Sequence, residues 1–192
     1  MGKSVETVAP SDTSLGNKLL YGLLVVQIIV GFEFFWTVLA KIVRGGFVSG
    51  LGADLTERVQ AAPGWYHSFA DSVVIPHATT FAYTIIIGEL FVGIGLMAAG
   101  IVWLARWDHL SRNGRIGLAA VSGAAALAGI VMNVNYHIAS GANNPWRIPT
   151  EVFDEGVDLN SILPMIELTI LVVMVGIGLA MLGRPRPVGA QD

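Results

Sequence analysis

The chain has 192 residues and a mass of 20.4 kDa, and its composition is that of a membrane protein. Apolar residues make up 54% and charged residues only 13%, roughly half the charged fraction of an average soluble domain. A net charge of −3 without a basic stripe excludes a typical nucleic-acid binder. Because cysteine is absent, disulfides, Fe–S clusters and c-type haem are excluded as well.

Four apolar stretches follow one another along the chain, each close to the ~20 residues that a helix needs to cross a bilayer. Their unbroken apolar runs favour helices over the alternating strands of a membrane barrel. We therefore predict an all-α, multi-pass bundle, a single domain at 19–183 between tails at 1–18 and 184–192. The predicted spans are 19–43, 78–105, 116–139 and 162–182. The connections at 45–77 and 140–160 are predicted to be long irregular loops, the first with a short helical piece.

Pairs of small residues four apart allow helices to approach closely in lipid, and each of the last three spans carries at least one. The pairs are Gly95 with Ala99, Ala119 with Gly123, Ala125 with Gly129, and Gly176 with Ala180. They indicate a compact bundle and carry no information about function.

Orientation follows from the lysines and arginines that flank the spans, because these residues are retained on the cytoplasmic side. The two tails and the 106–115 turn together hold seven of the eleven, and the other side, made of the two long loops and the adjoining end of the first span, holds four. We therefore predict that both termini are cytoplasmic and that the long loops face outward, in a bacterial or archaeal plasma membrane.

Ionisable groups inside membrane spans are costly, so each is a candidate for function. The first, second and fourth spans carry Glu33, Glu89 and Glu167. The third span carries Asn133 and His137 close to its outer end. At 1.5 Å per helical residue, Asn133 and Glu167 lie about 8–9 Å below the outer boundary, and Glu33 and Glu89 about 15–16 Å. The inner half contributes only Gln27 as a comparable group. This asymmetry predicts a polar pocket in the outer half of the bilayer.

Helical spacing predicts that these groups face one another, because residues three, four or seven apart share a helix face. The three predicted ridges are Glu33–Thr37–Lys41, Asn133–His137–Ser140 and Asn160–Glu167. If all three point inward, the Lys41 ammonium is a natural counter-ion for Glu33 or Glu89.

Such a pocket suits a small anion or a quinone head group entering from the bilayer, with carboxylates and His137 carrying protons. Trp36, in an aromatic cluster, could stack on a quinone ring. The alternative is that these polar groups only join the helices by hydrogen bonds. Ligation of a b-type haem by His77 and His137 is disfavoured, since neither lies deep in an apolar face. No metal site is predicted.

Several short motifs over 19–182 resemble the DoxX/DoxD membrane proteins, in particular the DoxD type of thiosulfate:quinone oxidoreductase small subunit. They are Phe35-Trp36 with Lys41 and Phe47, Gly88-Glu89, Asn133-x-Asn135, and Ala139-x-Gly141-x-x-Asn144-Pro145. The resemblance implies oxidation of thiosulfate to tetrathionate, electron transfer to membrane quinone, a partner subunit, and a substrate side facing away from the cytoplasm.

Two hypotheses follow, and a third is disfavoured. In the first, the chain is a redox subunit whose proton-handling residues are Glu33, Glu89, Glu167 and His137, and whose substrate- or quinone-binding residues are Lys41, Trp36, Asn133, Asn135 and Asn144. In the second, it is a non-catalytic accessory subunit of a larger membrane complex. A transporter is disfavoured, because the sequence has no inverted repeat and no broken helix.

Overall fold

The computed structural model describes residues 11–141 and 159–183, and none of these residues lies in a strand. Within these ranges, four helical segments are long and apolar enough to cross a membrane, which confirms the all-α bundle and makes the chain a multi-pass membrane protein. The helices are α1 (Ser11–Arg44), α2 (Phe47–Arg58), α3 (Gly64–Phe69), α4 (Ala78–Arg106), α5 (Arg112–Ala139) and α6 (Leu159–Leu182).

The four long helices pack as a row in chain order. Helix α1 lies against α4, α4 against α5, and α5 against α6, whereas α1 and α6 touch only slightly. The backbones of α1 and α4 cross closely: a Cβ on Gly93 would lie 2.8 Å from the Phe35 nitrogen, and one on Gly31 would lie 2.8 Å from the Met97 nitrogen. Only glycine permits this approach, because any side chain would have to displace backbone.

The small-residue pairs give a mixed result. A Cβ on Gly95 would lie 3.0 Å from the Ala125 Cβ, so the predicted close packing between α4 and α5 is confirmed. The prediction for Gly176 and Ala180 is wrong, because nothing lies within 4 Å of a Cβ on Gly176 and Ala180 is exposed. The reason is positional: α6 is the last helix of the row, and that face has no neighbour in the described part of the chain.

The prediction of an irregular loop at 45–77 is wrong, because this segment folds into a helical cap. Gly45 and Gly46 turn the chain with φ of 68° and 76°, a left-handed conformation that favours glycine. Helix α2 then packs along the first turns of α4, and a 3₁₀ turn leads into α3. Leu51, Leu55 and Val59 are four residues apart, so their shared apolar face explains why α2 is helical and where it docks.

A small core of its own holds the cap to the end of α5. Its buried members are Val59, Tyr66, Ala70 and Ala139. On the outer surface of α2, Arg58 and Asp54 form an ion pair at 2.7 Å, and this carboxylate raises the pKa of the Arg58 guanidinium. Most of the second long loop, 142–158, lies outside the described residues.

Candidate functional site

Three helices bring an ion pair and a tyrosine together beneath the cap. The Lys41 ammonium on α1 pairs with Glu89 Oε1 on α4, and the Tyr136 hydroxyl on α5 donates a hydrogen bond of 2.8 Å to the same oxygen. Glu89 is 1% exposed, and its second oxygen, Oε2, is buried without a hydrogen-bond partner. We call Lys41, Glu89 and Tyr136 the Glu89 cluster.

The predicted counter-ion role of Lys41 is therefore met by Glu89 rather than by Glu33. Lys41 lies one turn from the end of α1, whereas Glu89 lies three turns into α4. The two side chains meet because α4 extends beyond the end of α1, where α2 covers it. The Lys41 ammonium also lies 4.8 Å from the centre of the Phe47 ring, at the first residue of α2.

A second polar pair joins α5 to α6. The Asn133 amide donates to both oxygens of Glu167, at 3.1 and 3.2 Å, and both residues are buried. Gly129 makes room for this carboxylate, because a Cβ at that position would overlap it. The amide of Asn133, predicted to position an anion, is therefore directed at Glu167.

Glu33 interacts electrostatically with members of both groups, the Glu89 cluster and the Asn133–Glu167 pair. Its carboxylate accepts a long hydrogen bond of 3.4 Å from the Thr37 hydroxyl. It also interacts electrostatically with Lys41, Glu89 and Glu167. The three carboxylates predicted to converge from three spans therefore occupy one region of the bundle.

A cavity of about 870 Å³ lies between the cap and the α4–α5 pair, and Lys41 and Tyr136 of the Glu89 cluster line it. Its polar lining also includes Asn135, Asp54 and Arg58, and aliphatic and aromatic side chains form most of the wall. The apolar wall includes Phe81, Ile85, Leu127, Val131 and Met132. Because Leu127 and Val131 are exposed on the bundle surface, the cavity opens sideways toward the bilayer.

A second cavity of about 650 Å³ lies between α1 and α2 and shares part of its lining with the first. The shared residues are Lys41, Phe47, Leu51, Asp54 and Arg58. Arg44 and Trp36 also line it. Lys41 therefore contributes to both spaces, with Phe47 beside it.

The remaining predicted site residues are more dispersed. Trp36 is 58% exposed and stacks on Phe32, whose ring centre lies 6.0 Å away. The Asn135 amide donates to the Val131 carbonyl at 2.7 Å. His137 Nδ1 lies 3.0 Å from the Ser161 hydroxyl, so it joins α5 to α6. Asn144 lies outside the described residues.

The two histidines considered as haem ligands, His77 and His137, line neither of the two cavities, and His77 is exposed. In the described ranges, no group of three His, Asp or Glu side chains is arranged to hold a metal ion.

Sequence reasoning missed Tyr136, which shares the carboxylate of Glu89. The signal was present, because Tyr136 is three residues after Asn133 and therefore on nearly the same face of α5. It also missed the partners of Gln27, whose amide donates to the Leu96 carbonyl at 2.9 Å and to the Ser122 hydroxyl at 3.1 Å.

No protein-family model, curated protein or solved structure matches the chain. The conclusions about this chain therefore rest on its geometry. The described residues form a membrane-embedded helical bundle, and Lys41, which pairs with the buried Glu89, lines a cavity that faces lipid.

Proposed function

We propose that the protein is a membrane subunit of a quinone-linked redox complex, of the thiosulfate:quinone oxidoreductase type that its motifs resemble. The proposal places a quinone head group at the Glu89 cluster and the isoprenoid tail along the apolar wall of the adjoining cavity. The single observation that supports it most is the lining of this cavity, which is mostly apolar, reaches side chains exposed on the bundle surface, and includes Lys41, Tyr136 and Asn135.

The polar side chains that line the cavity offer the hydrogen-bond donors that a quinone ring requires. Quinone carbonyls accept hydrogen bonds, and Lys41 has three N–H donors, of which Glu89 takes one. Asn135 adds an amide to the cavity lining. Few other membrane components combine two acceptor oxygens on a flat ring with a long apolar tail.

The reaction implied by the resemblance balances when two thiosulfates become one tetrathionate and release two electrons. A quinone takes up those two electrons and two protons to become the quinol. Under the proposal, Lys41 and Tyr136 supply the two protons to the quinone oxygens and are then reprotonated from water, and Glu89 holds both side chains in place. The chain has no cysteine to hold a sulfur intermediate, so we assign sulfur oxidation to the partner subunit or to the interface with it.

Binding is tested with the full chain in lipid nanodiscs and a photoreactive quinone analogue mapped by mass spectrometry. We expect labelling of α4 and α5 residues of the cavity wall, and Lys41→Met to weaken binding about tenfold, the effect of losing a charge-assisted hydrogen bond. Tyr83→Phe is the matched control, because Tyr83 is on α4 but exposed and outside the cavity.

The apolar path is tested separately by filling it. Ala124 lines the cavity and is exposed, so Ala124→Trp should reduce quinone binding, whereas Ala120→Trp, one turn away and also exposed, should leave it unchanged. Equal binding by all four variants, with folding intact, would remove the quinone from this site.

The second candidate is the non-catalytic accessory subunit, and the Asn133–Glu167 pair favours it. This pair satisfies both partners between α5 and α6 without facing the cavity, as a purely structural link would. Thiosulfate-dependent quinone reduction in membranes decides between the two. Loss of that activity in Lys41→Met, with the complex still assembled, supports the redox subunit, whereas full activity supports the accessory role.

A further inference from the structure

The opposite end of the bundle, where α4 turns into α5, carries a stack of three side chains. Trp103 and Trp107 are stacked with ring centres 4.5 Å apart and planes 10° from parallel. On the other side of Trp107, the Arg115 guanidinium carbon lies 4.3 Å from the ring. Because Trp103 is buried, the stack holds the guanidinium in a defined plane.

Arg115 has no acceptor for its charge in the described part of the chain. Its Nε is buried and makes no hydrogen bond, and no described carboxylate pairs with it. Arg112, one turn earlier, differs: its guanidinium donates to the Met181 carbonyl and so caps α6. The guanidinium charge of Arg115 is thus unpaired within the described residues, which favours an anionic acceptor from outside the chain.

The level of Arg115 in the bundle identifies the kind of acceptor. It lies three residues into α5, about 4.5 Å from the end of the helix, where the headgroups of a bilayer lie. A guanidinium matches a phosphate with two parallel hydrogen bonds. Because Nε is buried, the terminal nitrogens of the guanidinium are the donors that such a phosphate would reach.

We propose that Arg115 and Trp107 form a binding site for the phosphate of an anionic phospholipid. The surrounding charge favours an anionic over a zwitterionic lipid, because 106–115 contains three arginines and one aspartate. The site lies at the other end of α4 and α5 from the cavity and does not depend on the proposed redox function.

The test titrates delipidated full-length protein with phosphatidylglycerol and follows lipid adducts by native mass spectrometry. We expect Arg115→Gln to weaken binding about tenfold, as for loss of a charge-assisted hydrogen bond. Arg106→Gln is the matched control: it removes the same charge from an exposed position near the same turn, and it should weaken binding far less than Arg115→Gln. Arg115→Lys keeps the charge but loses the planar fork, so it should bind nearly as weakly as Arg115→Gln.

Two further arms identify the source of the phosphate. Phosphatidylcholine should bind clearly more weakly than phosphatidylglycerol, and millimolar inorganic phosphate should not displace the lipid. The proposal is overturned if Arg115→Gln and Arg106→Gln behave alike, if Arg115→Lys binds like the unmodified chain, if the two lipids bind equally, or if inorganic phosphate competes.

Discussion

At the scale of single residues, the site depends on charges that lipid would reject if they were unpaired. Glu89 is 1% exposed and the Lys41 side chain 19%, so water compensates little of either charge. Removing one partner of a buried ion pair costs more than the pair contributes, because the remaining charge loses its only compensation. Lys41 and Glu89 should therefore be strongly coupled.

This coupling is measurable by a double-mutant cycle on the free energy of unfolding in mixed micelles. Lys41→Met and Glu89→Gln should each destabilise the protein, by up to about 3–5 kcal/mol, and the double variant should lose clearly less than the sum. Lys18→Met, at an exposed position of α1, is the control and should change little. Strict additivity would contradict a direct interaction.

The glycine beside Glu167 gives a second prediction at this scale. A Cβ at Gly129 would overlap the Glu167 carboxylate, whereas a Cβ at Gly176 would meet nothing within 4 Å. We expect Gly129→Ala to lower the free energy of unfolding by about 1–3 kcal/mol, the usual effect of overfilling a packed site. Gly176→Ala should have no comparable cost, and equal losses in both variants would contradict the packing described.

At the scale of helices, the cap is a unit with its own small core, separate from the main core of the bundle. Tyr66 supplies the largest side chain of that core and also lines the cavity. A unit held by few buried side chains opens more easily than the bundle beneath it.

Removing this ring should therefore loosen the cap selectively. In Tyr66→Ala we expect amide hydrogen exchange in α2 and α3 to accelerate roughly tenfold or more, with the centres of α4 and α5 unchanged. Tyr21→Ala, at a 51% exposed position of α1, should leave the exchange of the cap unaltered. Uniform acceleration over all helices would show that the cap and bundle unfold together.

At the scale of the whole molecule, the row of four helices places the α2–α3 cap at one end and the α4–α5 turn at the other. The distribution of lysine and arginine predicts that the cap faces outward. Because the chain has no cysteine, single introduced cysteines report on each end without interference.

Ser49 on α2 and Asn113 at the start of α5 are both exposed and suit this measurement. A membrane-impermeant maleimide should label Ser49→Cys in intact cells and Asn113→Cys only after permeabilisation. The reverse pattern would invert the predicted topology and place the cavity in the cytoplasmic half of the membrane.

The sequence alone determined the class of protein and much of the set of polar residues. Long apolar runs, low charge and carboxylates within spans are local properties of the sequence. In lipid an apolar run must form a helix, because only then are its backbone hydrogen bonds all internal, so these local properties predict the spans directly. The four spans and the convergence of Glu33, Glu89 and Glu167 were predictable for this reason. The helical cap was also encoded, in the spacing of Leu51, Leu55 and Val59.

Only the tertiary structure decided which polar groups became partners. Lys41 pairs with Glu89 rather than Glu33 because the crossing at Gly31 and Gly93 and the extension of α4 beyond α1 set the relative heights of these two helices. Asn133 binds Glu167 where Gly129 leaves room for the carboxylate between α5 and α6. Helical periodicity specifies on which face of its helix a residue lies. It does not specify the height of that residue relative to the residues of a neighbouring helix. Tyr136 and the cavity beside it depend on that height, which no stretch of the chain specifies by itself.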